Sequence, residues 1–353
     1  MNGGASHITA FFFACAICLA GCHKEQPGKV FPAFYHWKTN LQLSENERLY
    51  LDSLGVKKLY VKFFDVDWDE ATGQPLPHAQ VQIDTARLAG LEIVPTVFIT
   101  NRTWLRLRME DVDSLAWKTI FKINDLDNDA KLLFREVQFD SDWTGQTKEK
   151  YFRFLKTIGF IARDKMMPVE QPVISATIRL HQLKFFEKTG IPPVDRGMLM
   201  FYNMGDLEAW ETDNSILDPA TGKKYLTPDA KYPLPLDFAL PIFRWGVLFR
   251  DGNFFKLIND LGEEDLQDTL RFTPITSRRF LVKKSTYLQG YYLYEDDLIR
   301  LESVKTGQLE AAAALLGNMF PPAERTVGFY HLDSGLVRGF PAKNLEKVLE
   351  KIK

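Results

Sequence analysis

The chain has 353 residues, enough for one large domain or two ordinary ones. Its 44 Lys and Arg balance 46 Asp and Glu, so the total charge makes no case for nucleic-acid binding or for electrostatic docking on an anionic membrane. Aromatic residues are plentiful, with 27 Phe, 12 Tyr and 7 Trp to supply both a core and platforms for stacking ligands.

In chain order, residues 8–18 come first, an apolar run with three consecutive phenylalanines, too short to span a bilayer as a helix. The run leads into Leu19-Ala20-Gly21-Cys22, which resembles the lipobox of bacterial lipoproteins. The resemblance implies a signal peptide over residues 1–21, cleavage before Cys22, and a lipid-bearing Cys22 with palmitate among its acyl chains. It implies an envelope location, anchored to the outer membrane at its periplasmic face or at the cell surface. No Lys or Arg precedes the run, where a basic start is usual; an ordinary secretory signal is the alternative. All three cysteines (Cys15, Cys18, Cys22) lie in this segment, so the remainder has neither a disulfide nor thiol chemistry. Residues 22–29 form a polar tether. Its Lys24-Glu25 resembles the charged signal that sends lipoproteins of the Bacteroides group to the cell surface, and a plain solvated linker is the alternative.

Residues 30–37 (VFPAFYHW) read as a first strand. Ser44 is an N-cap with Glu47 at the capping-box position, for a helix stopped by Gly55. Residues 58–64 form a second strand, followed by an acidic loop at 65–69. A helix is expected over 81–90, a third strand over 91–99, and helical periodicity over 104–123. The fourth strand lies within 134–143 and is followed by an amphipathic helix over 148–165. Residues 173–179, 197–202, 234–243 and 326–332 are strands five to eight, with helices over 180–189 and 343–353. Eight strands alternating with helices predict a single (β/α)8 TIM-like barrel over residues 30–353. Residues 204–232 exceed what a plain barrel needs and form a long loop after strand six. A small β-rich insertion is expected at about 271–302, before a helix at 308–316 and the last strand. A doubly wound sheet is disfavoured because no Gly-rich phosphate loop follows any strand.

The most informative stretch is Phe134-Arg-Glu-Val-Gln-Phe-Asp-Ser-Asp-Trp143. As a strand it places Glu136, Gln138, Asp140 and Asp142 on one face and Val137 and Phe139 on the other. Carboxylates gathered on one face repel one another, which points to a functional strand; an edge strand with a solvated face is the plain alternative. In a barrel, functional groups sit at strand C-termini. There the sequence offers Trp37 with Tyr35 and His36, then Asp65 and Asp67, Asp140 and Asp142 with Trp143, Arg179, Tyr202 with Asn203, and His331. Aromatic rings beside carboxylates suit a sugar, whose apolar faces stack on Trp or Tyr. Asp142, at the strand tip beside an aromatic, is the candidate general acid, and Asp140, roughly 7 Å away by strand rise, its modulator.

Val137-Gln-Phe-Asp-Ser-Asp142 is similar to the strand-four signature of glycoside hydrolase family 18, the chitinase-like barrels. Asp140 matches its supporting aspartate and Asp142 its catalytic glutamate, while Gln138 stands where another aspartate is usual. Met200-Phe-Tyr-Asn203 resembles that family's strand-six motif, with Tyr202 matching the substrate-orienting tyrosine and Asn203 replacing an aspartate. The stretches QFDSDW, VISATIR, MLMFYNMGD and Asp297-Leu-Ile-Arg-Leu-Glu302 also resemble an uncharacterised family of bacterial lipoproteins with a glycosidase-like barrel. That likeness implies the barrel and no established activity.

Other constellations carry less. Asp65, Asp67 and Asp69 have the spacing of half a calcium loop without its Gly or distal Glu. Asp125, Asp127 and Asp129 read as a solvated connection. No histidine pair has metal-ligand spacing, so no metal is expected, and no Gly-x-Ser-x-Gly elbow exists, which argues against a hydrolase of the α/β class; no cofactor is expected. His331 reads first as a packing histidine. The expectation is a lipid-anchored barrel acting on a glycan: a glycoside hydrolase, with Trp37, Asp65, Asp67, Gln138, Trp143, Arg179, Tyr202 and Asn203 binding substrate. A non-catalytic glycan-binding lipoprotein and an accessory subunit of an outer-membrane complex are the alternatives.

Overall fold

A computed structural model describes residues 28–128, 130–132, 134–164, 172–226 and 232–353. The expected signal peptide, Cys15, Cys18, Cys22, Lys24-Glu25 and Asp129 lie outside the described residues.

Eight strands run in chain order: β1 (Val30–His36), β2 (Lys58–Asp69), β3 (Glu92–Ile99), β4 (Glu136–Asp140), β5 (Val173–Arg179), β6 (Arg196–Met200), β7 (Leu236–Pro241) and β8 (Arg325–Tyr330). Each pairs in parallel with its chain neighbours, and β1 pairs with both β2 and β8, so the sheet closes on itself. Helices Glu45–Ser53, Val112–Asn128, Lys148–Arg163, Thr306–Met319 and Ala342–Glu350 lie in crossovers or after β8. This is the expected (β/α)8 barrel. The first helix starts as its spacing predicts: Glu47 N donates to Ser44 Oγ, and Ser44 N returns a bond to Glu47 Oε2 at 2.8 Å. Gly55, at φ 66°, supplies the left-handed turn after it.

Strand β4 sits between β3 and β5, so the edge-strand alternative does not hold. Val137 and Phe139 face outward; Phe139 meets Phe154 of helix Lys148–Arg163 edge-on, with centroids 5.2 Å apart. The inward set is polar and satisfied from the neighbouring β5 and, across the interior, from β1 and β2. Ser175 Oγ donates to Glu136 Oε1 at 2.6 Å and Lys58 Nζ to Oε2 at 2.8 Å. Tyr35 OH donates to Gln138 Oε1 at 2.7 Å, and Thr177 Oγ1 to Asp140 Oδ1 at 2.6 Å. Buried carboxylates are tolerated when paired and hydrogen-bonded, which is the arrangement here.

Three expectations change. Residues 65–69 are not a loop: β2 runs through them into an antiparallel hairpin with Gln74–His78, where strand pairing outweighs acidic composition. The span 81–90 is not a helix but a two-residue strand (Gln82–Ile83) and a 3-10 turn (Thr85–Arg87) whose first N–H groups are capped by Asp84. The insertion is wider than 271–302. Strands Asn253–Asn259, Arg244–Arg250, Leu298–Ser303, Arg279–Val282 and Phe272–Thr276 form one five-stranded sheet in that spatial order, and a small hairpin pairs Thr286–Leu288 with Tyr291–Leu293. This sheet has its own core of Leu248, Ile258, Phe272, Val282, Ile299 and neighbours.

Barrel closure demands close strand contact at Gly197 on β6, where an added Cβ would stand 2.8 Å from Ile178 Cγ1 and 2.8 Å from Leu236 Cδ2. Gly197→Ala is therefore expected to lower the unfolding free energy by about 1–3 kcal/mol, measured by denaturant titration against wild type.

Candidate functional site

The C-terminal ends of the barrel strands surround a cleft of about 510 Å³. Strand tips supply Trp37, Asp140, Asp142, Arg179, Tyr202, Asn203, Tyr330 and His331, and the insertion adds Arg244, Trp245, Asn259 and Asp260. Parallel strands all deliver their last residues to one end, which brings sequence-distant groups together.

Arg179 is the centre of the polar part. Its Nη2 lies 3.1 Å from Asp140 Oδ1 and its Nε 2.5 Å from Asp142 Oδ1, so one guanidinium bridges both carboxylates. Strand β4 ends at Asp140, and Ser141 turns the chain by donating to Ile99 O at 2.9 Å while accepting from Trp104 Nε1. Asp142 consequently stands beyond the strand with its side chain 52% exposed, whereas Asp140 is buried. Burial pushes the Asp140 carboxyl above the ordinary aspartate range; Arg179 opposes that and the Asp142 charge adds to it. Burial works against the Arg179 charge, but the two aspartates outweigh it and raise its pKa.

Tyr330, the last residue of β8, forms the aromatic floor. Its ring stacks on Tyr202 at 5.6 Å and 30°, and it meets Trp37, Phe243 and Tyr35 at 5.6, 5.7 and 5.6 Å. The Tyr202 hydroxyl donates to Met200 Sδ at 3.3 Å, and burial raises its pKa. Trp245 extends the wall and packs on Phe243 at 5.1 Å. Its indole Nε1 donates at 2.9 Å to Glu302, a buried carboxylate that also accepts from Arg300 Nε at 2.7 Å and from Ser215 N and Oγ at 2.9 and 2.5 Å. Arg300 continues to the carbonyls of Leu207 and Ala209. The Asp297–Glu302 stretch thus ties the loop after β6 to the insertion and orients a cleft tryptophan.

Of the residues singled out in the sequence, Trp37, Asp140, Asp142, Arg179, Tyr202 and Asn203 meet in the cleft. Four lie elsewhere. Gln138 is fully buried one layer below, held by Tyr35 and Ser175. Trp143 is also fully buried; it points away from the mouth, donates to Thr189 O at 3.0 Å and packs on Tyr151 and Phe152. The turn at Ser141 takes it out of the strand's alternation, so proximity in sequence does not place it beside a ligand. Asp65 and Asp67 line an adjoining depression with Phe98 and Arg102. Lys62 pairs with Asp65 at 3.1 Å, and Arg102, with Thr100, holds the Asp67 carboxyl down to about 2. Among the described residues no group of three or more His, Asp or Glu converges as metal ligands would.

Sequence reasoning missed Tyr330, Phe243, Trp245, Arg244 and Asp260. The signal for the first three was available, since each stands within four residues of a strand's C-terminal end. Arg244 carries the same signal, whereas its partner Asp260, 2.8 Å away, depends on the insertion's fold and left no local trace.

No family model matches the chain, and no curated protein sequence is similar to it. Solved structures are. The Bacillus cereus spore cortex-lytic enzyme SleL matches with a TM-score of 0.53 at 13% identity, over 93% of this chain and 75% of that one. The chitinase ChiA74 from Bacillus thuringiensis matches with 0.54 at 12% identity, over 93% and 70%. A plant class V chitinase mutant from Cycas revoluta, in complex with (GlcNAc)3, matches with 0.51 at 11% identity, over 92% and 100%. At such identities the shared property is the fold: this chain has the barrel architecture of chitinase-like enzymes.

A buried histidine beneath the cleft makes the protein's stability pH-dependent. His36 is buried, its Nδ1 has no hydrogen-bond partner among the described residues, and burial together with Lys38 and His331 lowers its pKa to about 4, against a smaller opposing effect of Glu47. The folded state keeps His36 neutral while the unfolded chain protonates it below about 6.5. The stabilisation is therefore complete above that pH and is lost on acidification, by about 3 kcal/mol on reaching pH 4. His36→Gln is expected to flatten this part of the stability profile, read as the difference between the two proteins' urea midpoints from pH 7 to pH 4.

Proposed function

We propose that the cleft binds an oligosaccharide and that the protein is a glycan-capturing barrel of glycoside-hydrolase-like architecture, carried on a lipid anchor at Cys22 in the bacterial envelope. The observation that carries capture over cleavage is the Arg179 bridge. Glycoside cleavage needs a proton donor aimed at the leaving oxygen. Asp142, the mouth-facing carboxylate at the family's acid position, is instead engaged by a permanent cation, and as an aspartate it reaches one methylene less than the glutamate of the chitinase pattern. Binding asks less of it. The rings of Tyr330, Tyr202, Trp37 and Trp245 offer faces for sugar rings, while Asp142, Asn203 and Arg179 offer directional polar groups. The open cleft favours glycan capture over an accessory subunit with a closed mouth, and the bound (GlcNAc)3 of the Cycas revoluta chitinase names the first class of ligand to try.

Hydrolysis is the second reading, favoured by the exposure of Asp142 at the cleft and by the burial that holds the Asp140 carboxyl up. In it, substrate displaces Arg179, Asp142 acts as general acid and Asp140 as its modulator, with Tyr202 orienting the sugar.

One experiment separates the readings. The chain from His23 is titrated with GlcNAc oligomers and a wider panel of bacterial and host glycans, and product release is followed in parallel. Capture predicts saturable binding without products, weakened at least about tenfold in Tyr330→Ala, the loss of roughly 1.4 kcal/mol of stacking. Turnover by wild type that disappears in Asp142→Asn would replace capture with hydrolysis. Absence of both from every glycan would remove the carbohydrate reading.

A further inference from the structure

The opposite end of the barrel holds a second cavity, of about 310 Å³, formed where the strands begin. It is lined by Lys57, Lys58, Arg135, Arg196 and Arg325, with Glu92, Glu136 and Glu324 as counter-charges. Two of the cations are already engaged. Lys58 lies 2.8 Å from Glu136 and 3.5 Å from Glu92, and Arg196 makes a two-pronged pair with Asp237 at 2.7 and 2.8 Å. Arg325 is different. It is only 6% exposed, its guanidinium lies 4.6 Å from the Phe238 ring centroid, its Nε has no hydrogen-bond partner among the described residues, and its Nη2 donates to the Pro321 carbonyl. The nearby Asp237 is taken by Arg196 and by Thr326 N at 2.6 Å. A buried guanidinium left short of acceptors beside an open cavity is a receptor for an oxyanion. Exposed Lys57 and Arg135 at the rim make no ion pair among the described residues, so the cavity carries unmatched positive charge although the whole chain is balanced.

The position of the cavity names its occupant. Phe31 and Pro32, at the start of β1, line it, and the chain enters β1 from this side. From Cys22 to Gly28 the backbone spans at most roughly 20–22 Å. A lipid on Cys22 would therefore hold this end of the barrel against the headgroups. Phe31, 37% exposed with Lys29 Nζ 4.8 Å from its ring centroid, adds the amphipathic pairing that suits a membrane interface. We propose that the N-terminal end of the barrel is a membrane-facing surface whose cavity binds the phosphate of an anionic lipid headgroup, with Arg325 as its inner ligand and Lys57 and Arg135 at the rim. The choice of a lipid rests on the anchor reading; the phosphate-binding capacity does not.

The test uses the chain from His23, which retains every described residue and has no lipid. It should sediment with phosphatidylglycerol vesicles at low salt and not with phosphatidylcholine vesicles, and inorganic phosphate should release it. Lys57→Gln and Arg135→Gln, both exposed, are expected to weaken vesicle binding about fivefold each. Arg325→Gln should weaken it further and abolish release by phosphate. Far-UV circular dichroism and the urea midpoint report whether each variant is folded. Equal sedimentation with both vesicle types, or wild-type binding by the Lys57 and Arg135 variants, overturns the proposal. Binding of inorganic phosphate without vesicle binding overturns the membrane-facing role. Mass analysis of envelope-expressed protein tests the anchor separately, because unmodified Cys22 with intact vesicle binding would remove the anchor and keep the site.

Discussion

Burying ionised side chains inside a closed sheet is the constraint on which the rest of this structure depends. Glu136 and Asp140 stand almost fully buried on the inner face of β4, where protein groups must replace most of the hydration they lose. Each is met by partners from other strands of the barrel. Lys58 and Ser175 serve Glu136, and Thr177 and Arg179 serve Asp140. The partners come from the neighbouring β5 and, across the barrel interior, from β2, so the contacts that neutralise the interior also tie strands that are not paired. Between these layers the uncharged Gln138 separates the two carboxylates, bonded to Tyr35 at 2.7 Å. A third carboxylate there would have required a third cation inside the barrel.

Much of the fold was legible because its signals are local. Strand β5 was read with the bounds it has, since an apolar run flanked by Pro172 and a helix start leaves little choice. The Ser44–Glu47 capping box and the Gly55 stop were equally local. The failures share a cause. Residues 65–69 were assigned by acidic composition, whereas their conformation is set by pairing with Gln74–His78, a partner not visible in the segment itself. The insertion strand Arg244–Arg250 follows β7 after a two-residue break, so the two merge into one apolar stretch until the chain's reversal is known. In the cleft, alternation along β4 located Asp140 correctly but was carried two residues too far. Ser141 bonds to Ile99 O and ends the alternation, which turns Trp143 into the core and leaves Asp142 outside it.

The cleft is composed by two different parts of the molecule. Strand tips provide the carboxylates, Arg179 and the Tyr330 floor, all held by the barrel's hydrogen-bond ladder. The insertion provides Trp245, Arg244 and Asp260 and is coupled to the barrel's long loop through Glu302 and Arg300, both almost fully buried. The wall and the inner charge pairs can therefore vary independently: changes in the insertion alter the wall without touching the pairs inside the barrel.

The insertion also governs how the barrel is assembled. Strands β7 and β8 lie side by side, with Phe238 opposite Val327, yet the whole five-stranded sheet separates them along the chain. The last seam joins Val30 to Arg325, nearly the two extremes of the folded sequence. Closing so long a loop is entropically expensive for an unstructured chain and far less so once the intervening residues have collapsed on their own core. The insertion, by folding on itself, shortens the distance that β8 must search. During synthesis, an incomplete barrel therefore exposes both edges of its sheet until β8 arrives, and the period of greatest vulnerability to aggregation lasts until that strand is in place.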